Sequence, residues 1–216
     1  MHEKATNLQR MIDCGVIAIV RTQSADTARA IARAAITGGA GGIEITLTTP
    51  DGLEIIAELS REFGQRCIIG AGTVLNATTC TAALRAGAKF IVSPSYDPQT
   101  LQLALKSGAI SIPGAFTPAE ILTVSRAGAD LIKVFPSTSV GPAYFRDLLR
   151  PLPHLKLIAT GGVTMNDAAE WIQSGSILVG VGGDLIPEGA IERGDWDAVS
   201  ARTAAFVETV RLARVR

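Results

Sequence analysis

Short β-branched apolar runs alternate along this chain with longer stretches in which apolar residues recur every three or four positions. The first pattern suits strands buried on both faces, the second amphipathic helices packed over them. Strands are predicted at 16–21, 42–47, 67–70, 89–92, 109–112, 130–134, 156–159 and 177–180. Helical windows fall between them at 24–37, 51–63, 76–86, 98–107, 118–127, 142–149 and 165–174, and a last amphipathic helix covers 195–214. Ser, Asp, Thr or Asn stands at the helix starts, and glycine closes several of them, as at Gly38, Gly64 and Gly108. Eight strand–helix units predict an α/β fold: one domain over 1–216, with a polar N-terminal helix at 1–15 and a single (β/α)8 TIM barrel at 16–216. The alternative is an open doubly wound sheet. It expects a Gly-rich fingerprint after the first strand, whereas the glycines at 38–42 precede a strand.

Composition narrows the function without naming it. The chain has 216 residues, 47% of them hydrophobic, which supports one large core. Formal net charge is zero, so no overall field favours nucleic acid or anionic lipid. No apolar stretch approaches the roughly 20 residues of a membrane-spanning helix, and the N-terminus lacks the apolar centre of a signal peptide. Cys14, Cys67 and Cys80 are odd in number and form no CxxC, which fits reduced thiols in a cytoplasm. His2 and His154 stand apart from each other and from acidic clusters, so no metal site is predicted.

In a barrel, chemistry belongs at the C-terminal ends of the strands. Lys133 is the lone charge in the apolar run Leu131-Ile132-Lys133-Val134-Phe135-Pro136. Burying an unpaired ammonium is costly, and the usual escape is a depressed pKa that makes the amine a nucleophile. From this window alone, a strand-end lysine reaching solvent or pairing with Asp130 is the simpler account. The other strand ends reverse that balance. Period-two alternation turns Glu44 and Thr46 into the barrel while Ile43, Ile45 and Leu47 face the helices, and Arg21 ends the first strand. A buried Glu44–Lys133 or Glu44–Arg21 ion pair is the structural alternative, although such pairs add little net stability. Two glycine turns, Thr160-Gly161-Gly162 and Gly180-Val181-Gly182-Gly183, follow the last strands, where barrels often hold phosphate. Asp184 opposes that reading unless it turns away as a helix cap. At ~5 Å and an effective dielectric of about 20, the repulsion is of order 3 kcal/mol per unit charge.

Taken together, VIAIVR at 16–21, IEITLTTP at 43–50, GAGTVL at 70–75, FIVSP at 90–94, PGAFTPAE at 113–120, KVFP at 133–136, ATGGV at 159–163 and VGVGGDL at 179–185 form an ordered set. In that set the chain resembles the aldolases of 2-keto-3-deoxy-6-phosphogluconate and 4-hydroxy-2-oxoglutarate, class I enzymes that work through a lysine Schiff base. The resemblance implies Lys133 as the Schiff-base lysine and Glu44 as the general acid/base. It implies substrate contacts at Arg21 and at Thr73, the latter near the pyruvyl carboxylate. Pro94 of FIVSP and Phe135 of KVFP join them as candidate contacts. Thr160, Gly161, Gly162, Gly182 and Gly183, with Asp184 beside them, would meet the distal end and its phosphate. Thr48 stands where some members carry arginine, and Asp184 where phosphate-binding members commonly carry serine or another small residue. A cytoplasmic homotrimer acting on small keto acids and aldehydes, with no cofactor or metal, completes the expectation. Its rivals are the same chemistry on an unphosphorylated keto-deoxy acid, and a non-covalent phosphosugar-binding barrel enzyme or binder.

Overall fold

The computed structural model describes residues 2–215. Its strands are β1 Val16–Val20, β2 Gly42–Thr46, β3 Ile68–Gly72, β4 Phe90–Val92, β5 Ile110–Ile112, β6 Gly114–Ala115, β7 Ile132–Val134, β8 Leu157–Thr160 and β9 Val179–Val181. The helices are α1 His2–Cys14, α2 Ala25–Thr37, α3 Gly52–Phe63, α4 Ala77–Arg85, α5 Pro98–Ser107, α6 Pro118–Arg126, α7 Gly141–Leu149, α8 Ala168–Gln173, α9 Ala190–Arg193 and α10 Trp196–Val215. All strand pairs are parallel, in the order β5-β4-β3-β2-β1-β9-β8-β7-β6. The two ends of that order, β5 and β6, are separated in the chain only by Pro113. Proline has no N–H to give a ladder, so one strand is interrupted there. The seam is held by Leu131 N–H donating to the Ser111 carbonyl (3.2 Å) and Lys133 N–H to the Pro113 carbonyl (3.0 Å). The nine segments therefore form eight staves of a nearly closed barrel.

Alternation along each strand sorts the core into two layers. Ile17, Ile68, Phe90, Ile110, Leu131, Ile158 and Leu178 pack together inside, whereas Val16, Ala18, Ile43, Ile45, Ile69, Ala71 and Val134 pack outward under the helices. Met11 and Leu8 of α1 join the inner cluster, and Met11 is fully buried. The amphipathic N-terminal helix thus closes the end of the barrel opposite the strand C-termini.

Most boundaries shift by a residue or two, the strand expected at 177–180 running from Val179 to Val181, and two of the late starts have the same physical reason. The strand expected at 130–134 begins at Ile132, because the Asp130 carboxylate accepts the Ser111 N–H and hydroxyl, both at 2.8 Å. The helix expected at 165–174 begins at Ala168. There the Asp167 carboxylate takes the Thr164 N–H at 2.7 Å, and Met165 donates its N–H to Asp184 instead of entering a helix. Side-chain acceptors outcompete the regular ladder at both places. The single-turn 3-10 helices at Ser137–Ser139 and Gly183–Leu185, and the four-residue α9, are additions to the predicted set. No helix among the described residues is long and apolar enough to cross a membrane.

Candidate active site

Lys133 lies at the middle of β7, level with Gly114 on one side and Ile158 on the other, and is only 6% exposed. Its Nζ sits 4.8 Å from the centroid of the Phe135 ring. Glu44, level with Ile19 and Gly70, points inward across the barrel and is 2% exposed. Burial pushes the Glu44 carboxyl above the ordinary glutamate range, opposed by the charges of Lys133 and Arg21. The carboxyl occupies space that only a glycine on β3 leaves free: a Cβ on Gly72 would overlap it. Gly70 and Gly72 follow Ile68 on the inward face, so strand alternation was already a signal for this gap.

Arg21 follows directly on β1 and donates from Nη2 to the Thr73 hydroxyl at 3.1 Å. Thr73 has φ 58°, a left-handed backbone that is uncommon for a β-branched residue. Strain of this kind persists where the surroundings over-determine it, often at functional sites. On the other side of Lys133, the Ser137 hydroxyl donates to the Val134 carbonyl (2.7 Å) and accepts the Thr160 N–H (2.8 Å). This bond ties the ends of β7 and β8 together, so Lys133 and Thr160 keep a set spacing. Thr160 is 2% exposed, and its Oγ1 is buried without a hydrogen-bond partner, a group left ready for an incoming donor or acceptor.

These side chains open into one cavity of about 450 Å³ at the C-terminal mouth of the barrel. Arg21, Glu44, Lys133, Phe135, Thr160, Gly161, Gly162, Gly182, Gly183 and Asp184 all line it, and Thr73 reaches it through Arg21. Gly161 and Gly162 have φ of 90° and 83°, so this turn requires residues free to adopt the left-handed region. Pro94 stands apart. It borders a neighbouring groove of about 430 Å³ that shares only the Phe135 wall. Ile19, Val163, Thr164 and Ile186 also line the mouth and had not been singled out as apolar or uncharged residues. Among the described residues no cluster of three or more His, Cys, Asp or Glu side chains could hold a metal ion.

The family model for KDPG and KHG aldolase matches residues 8–202. The chain belongs to that family. It is 36% identical over 198 residues to 2-dehydro-3-deoxy-6-phosphogalactonate aldolase of Escherichia coli K12, covering 91% of this chain and 94% of the relative. To 2-dehydro-3-deoxy-phosphogluconate aldolase of Pseudomonas aeruginosa it is 37% identical over 179 residues, 82% of this chain and 81% of the relative. Among solved structures, the KDPG aldolase of Legionella pneumophila, with pyruvate captured at low pH as a covalent carbinolamine intermediate, superposes with a TM-score of 0.83. It is 26% identical, and the match covers 92% of this chain and 97% of that one. Membership makes the protein a carbon–carbon lyase.

For this aldolase-family chain, two of the departures found in sequence have a structural outcome. Thr48 does not line the cavity, and its hydroxyl donates to the Thr46 hydroxyl at 3.2 Å. Asp184 lines the mouth, but its carboxylate accepts the Met165 N–H at 2.9 Å and pairs with Arg202 at 2.7 Å. The repulsion expected of Asp184 is therefore offset by a cation from α10. Arg202 was not visible as a site residue in the sequence.

Proposed function

We propose that this protein is a class I aldolase that reversibly cleaves a 2-keto-3-deoxy-6-phosphogluconate-type acid to pyruvate and an aldehyde through an imine on Lys133. The observation that carries the reading is the burial of one lysine and one glutamate that both line one open cavity. In the proposed sequence the Lys133 amine adds to the C2 ketone, and loss of water with uptake of one proton gives a protonated imine. That cation takes up the electron pair of the C3–C4 bond as it breaks, leaving an enamine. Glu44, directly or through one water, accepts the C4 hydroxyl proton while the aldehyde departs. The same proton then returns to C3, and water hydrolyses the imine to release pyruvate and the free amine. A carboxyl whose proton affinity is raised by burial suits a group that must both take and give a proton.

Arg21 holds the keto-acid carboxylate in this reading, with Thr73 bridging it, and Thr160 Oγ1 offers a hydrogen bond to the reacting end. The glycine turns at 161–162 and 182–183 take the distal phosphate on backbone amides. The imine is itself the electron sink, so the sequence of steps assigns no role to a metal or organic cofactor. Unphosphorylated keto-deoxy acids and 4-hydroxy-2-oxoglutarate come second, because the Asp184–Arg202 pair removes the charge argument that favoured them. The proposed setting is a cytoplasmic homotrimer, which light scattering would test against the 22.5 kDa chain mass.

Incubation with pyruvate and sodium borohydride, followed by intact mass and peptide mapping, tests the chemistry. A reduced pyruvyl adduct on Lys133 is expected, absent in Lys133→Ala together with turnover. Folded protein that leaves Lys133 unmodified rejects the mechanism.

A further inference from the structure

Asp184 is held by more than its own charge requires. Its Oδ2 accepts from Met165 N–H (2.9 Å) and Arg202 Nη2 (2.7 Å), while Arg202 Nε donates to the Asp184 carbonyl (3.0 Å). The guanidinium also lies 5.7 Å from the Phe206 ring centroid. Three segments thus meet at one residue: the loop after β8 through Met165, the turn after β9, and the last helix. The first two carry the paired glycines that wall the distal end of the cavity. Asp184 lines that cavity and Arg202 does not, so Arg202 touches no ligand there and acts through its hold on Asp184 and through its charge. A planar guanidinium can grip carboxylate and carbonyl of the same residue at once, which an ammonium does not match.

We infer that Arg202 is a positioning residue for the distal subsite: by neutralising and clamping Asp184 it makes the glycine end of the cavity accept a phosphorylated substrate end. This rests on the lyase reaction proposed above. Without the guanidinium, the carboxylate faces the incoming phosphate as a like charge, and the two turns lose their common anchor.

The test is kcat and KM for 2-keto-3-deoxy-6-phosphogluconate and for 2-keto-3-deoxygluconate in wild type, Arg202→Met, Asp184→Asn and the double variant. Arg202→Met is expected to lower the phosphorylated-to-plain ratio of kcat/KM by about tenfold or more, mainly through KM, and less so at high salt. Removing the carboxylate as well is expected to bring the ratio back to within about threefold of wild type. A purely structural clamp predicts that both substrates suffer equally in Arg202→Met and that the double variant recovers nothing; that result overturns the inference. If Arg202→Met does not fold, Asp184→Asn decides alone. Its uncancelled Arg202 cation must raise the ratio, and an unchanged or lower ratio refutes the idea. Borohydride trapping of pyruvate separates the two levels. Normal trapping on Lys133 with an unmoved ratio refutes only the role of Arg202, whereas no trapping in wild type brings down the reaction and the inference together.

Discussion

Glu44 holds an uncomfortable position, a carboxyl buried inside a barrel with space made for it by the absent side chain of Gly72. Its proton is held more tightly in the fold than in the unfolded chain, and this has a definite sign. Below the ordinary glutamate value of about 4.3 both states are protonated and burial of the group has no pH-dependent cost. As pH rises past that value, the unfolded chain ionises first, and stability falls until the folded-state carboxyl also ionises. Melting temperatures from acid to neutral pH should therefore show Glu44→Gln gaining on wild type as pH increases. A constant difference would mean that the carboxyl is not perturbed. The same variant should lose about a hundred- to ten-thousandfold in kcat, the usual worth of a positioned acid/base, while still trapping pyruvate on Lys133. Lys133 and Glu44 were legible in the sequence because a charge inside an apolar, period-two run has few structural explanations. Arg202 was not, since one arginine on a long helix looks like a solvated face until the turn after β9 is seen to dock against it.

The elements were legible to the degree that their own residues decide them. Strands buried on both faces are written as β-branched runs, and the helices between them carry caps such as Ser24, Asn76, Asp97 and Thr117 whose side chains accept N–H groups in the structure. The late start of α8 was invisible because Met165 bonds to Asp184, nineteen residues away, and no local pattern encodes that. The role of α1 was equally hidden. The sequence showed it only as a polar helix, whereas Met11 and Leu8 fill the base of the inner core, and Lys4 pairs with Asp130 at 2.8 Å beside the seam. Met11→Ala should cost about 2–5 kcal/mol of unfolding free energy, the range for a fully buried large-to-small change. Urea titration checks this, and a loss within experimental error would show α1 to be a dispensable cover. Because Met11 lies at the opposite end from the cavity, pyruvate trapping should persist wherever the variant is folded.

For the whole molecule, eight staves bring residues from almost the full length of the chain, from Arg21 to Asp184, to one rim. The far end is filled by Ile17, Phe90, Ile110, Leu131 and Leu178 over Met11, so among the described residues the barrel has a floor, and its cavity opens at the other rim. A vessel with one opening imposes a queue. Under the proposed chemistry the pyruvyl unit is tethered deepest, at Lys133, with the aldehyde portion nearer the entrance. Whatever arrived outermost has to leave before the tethered half can be hydrolysed and follow it. Cleavage assays with added products should then show pyruvate competing with substrate and the aldehyde inhibiting non-competitively. Competitive inhibition by both products would mean that release is unordered, and the opposite pair of patterns would mean that the aldehyde leaves last.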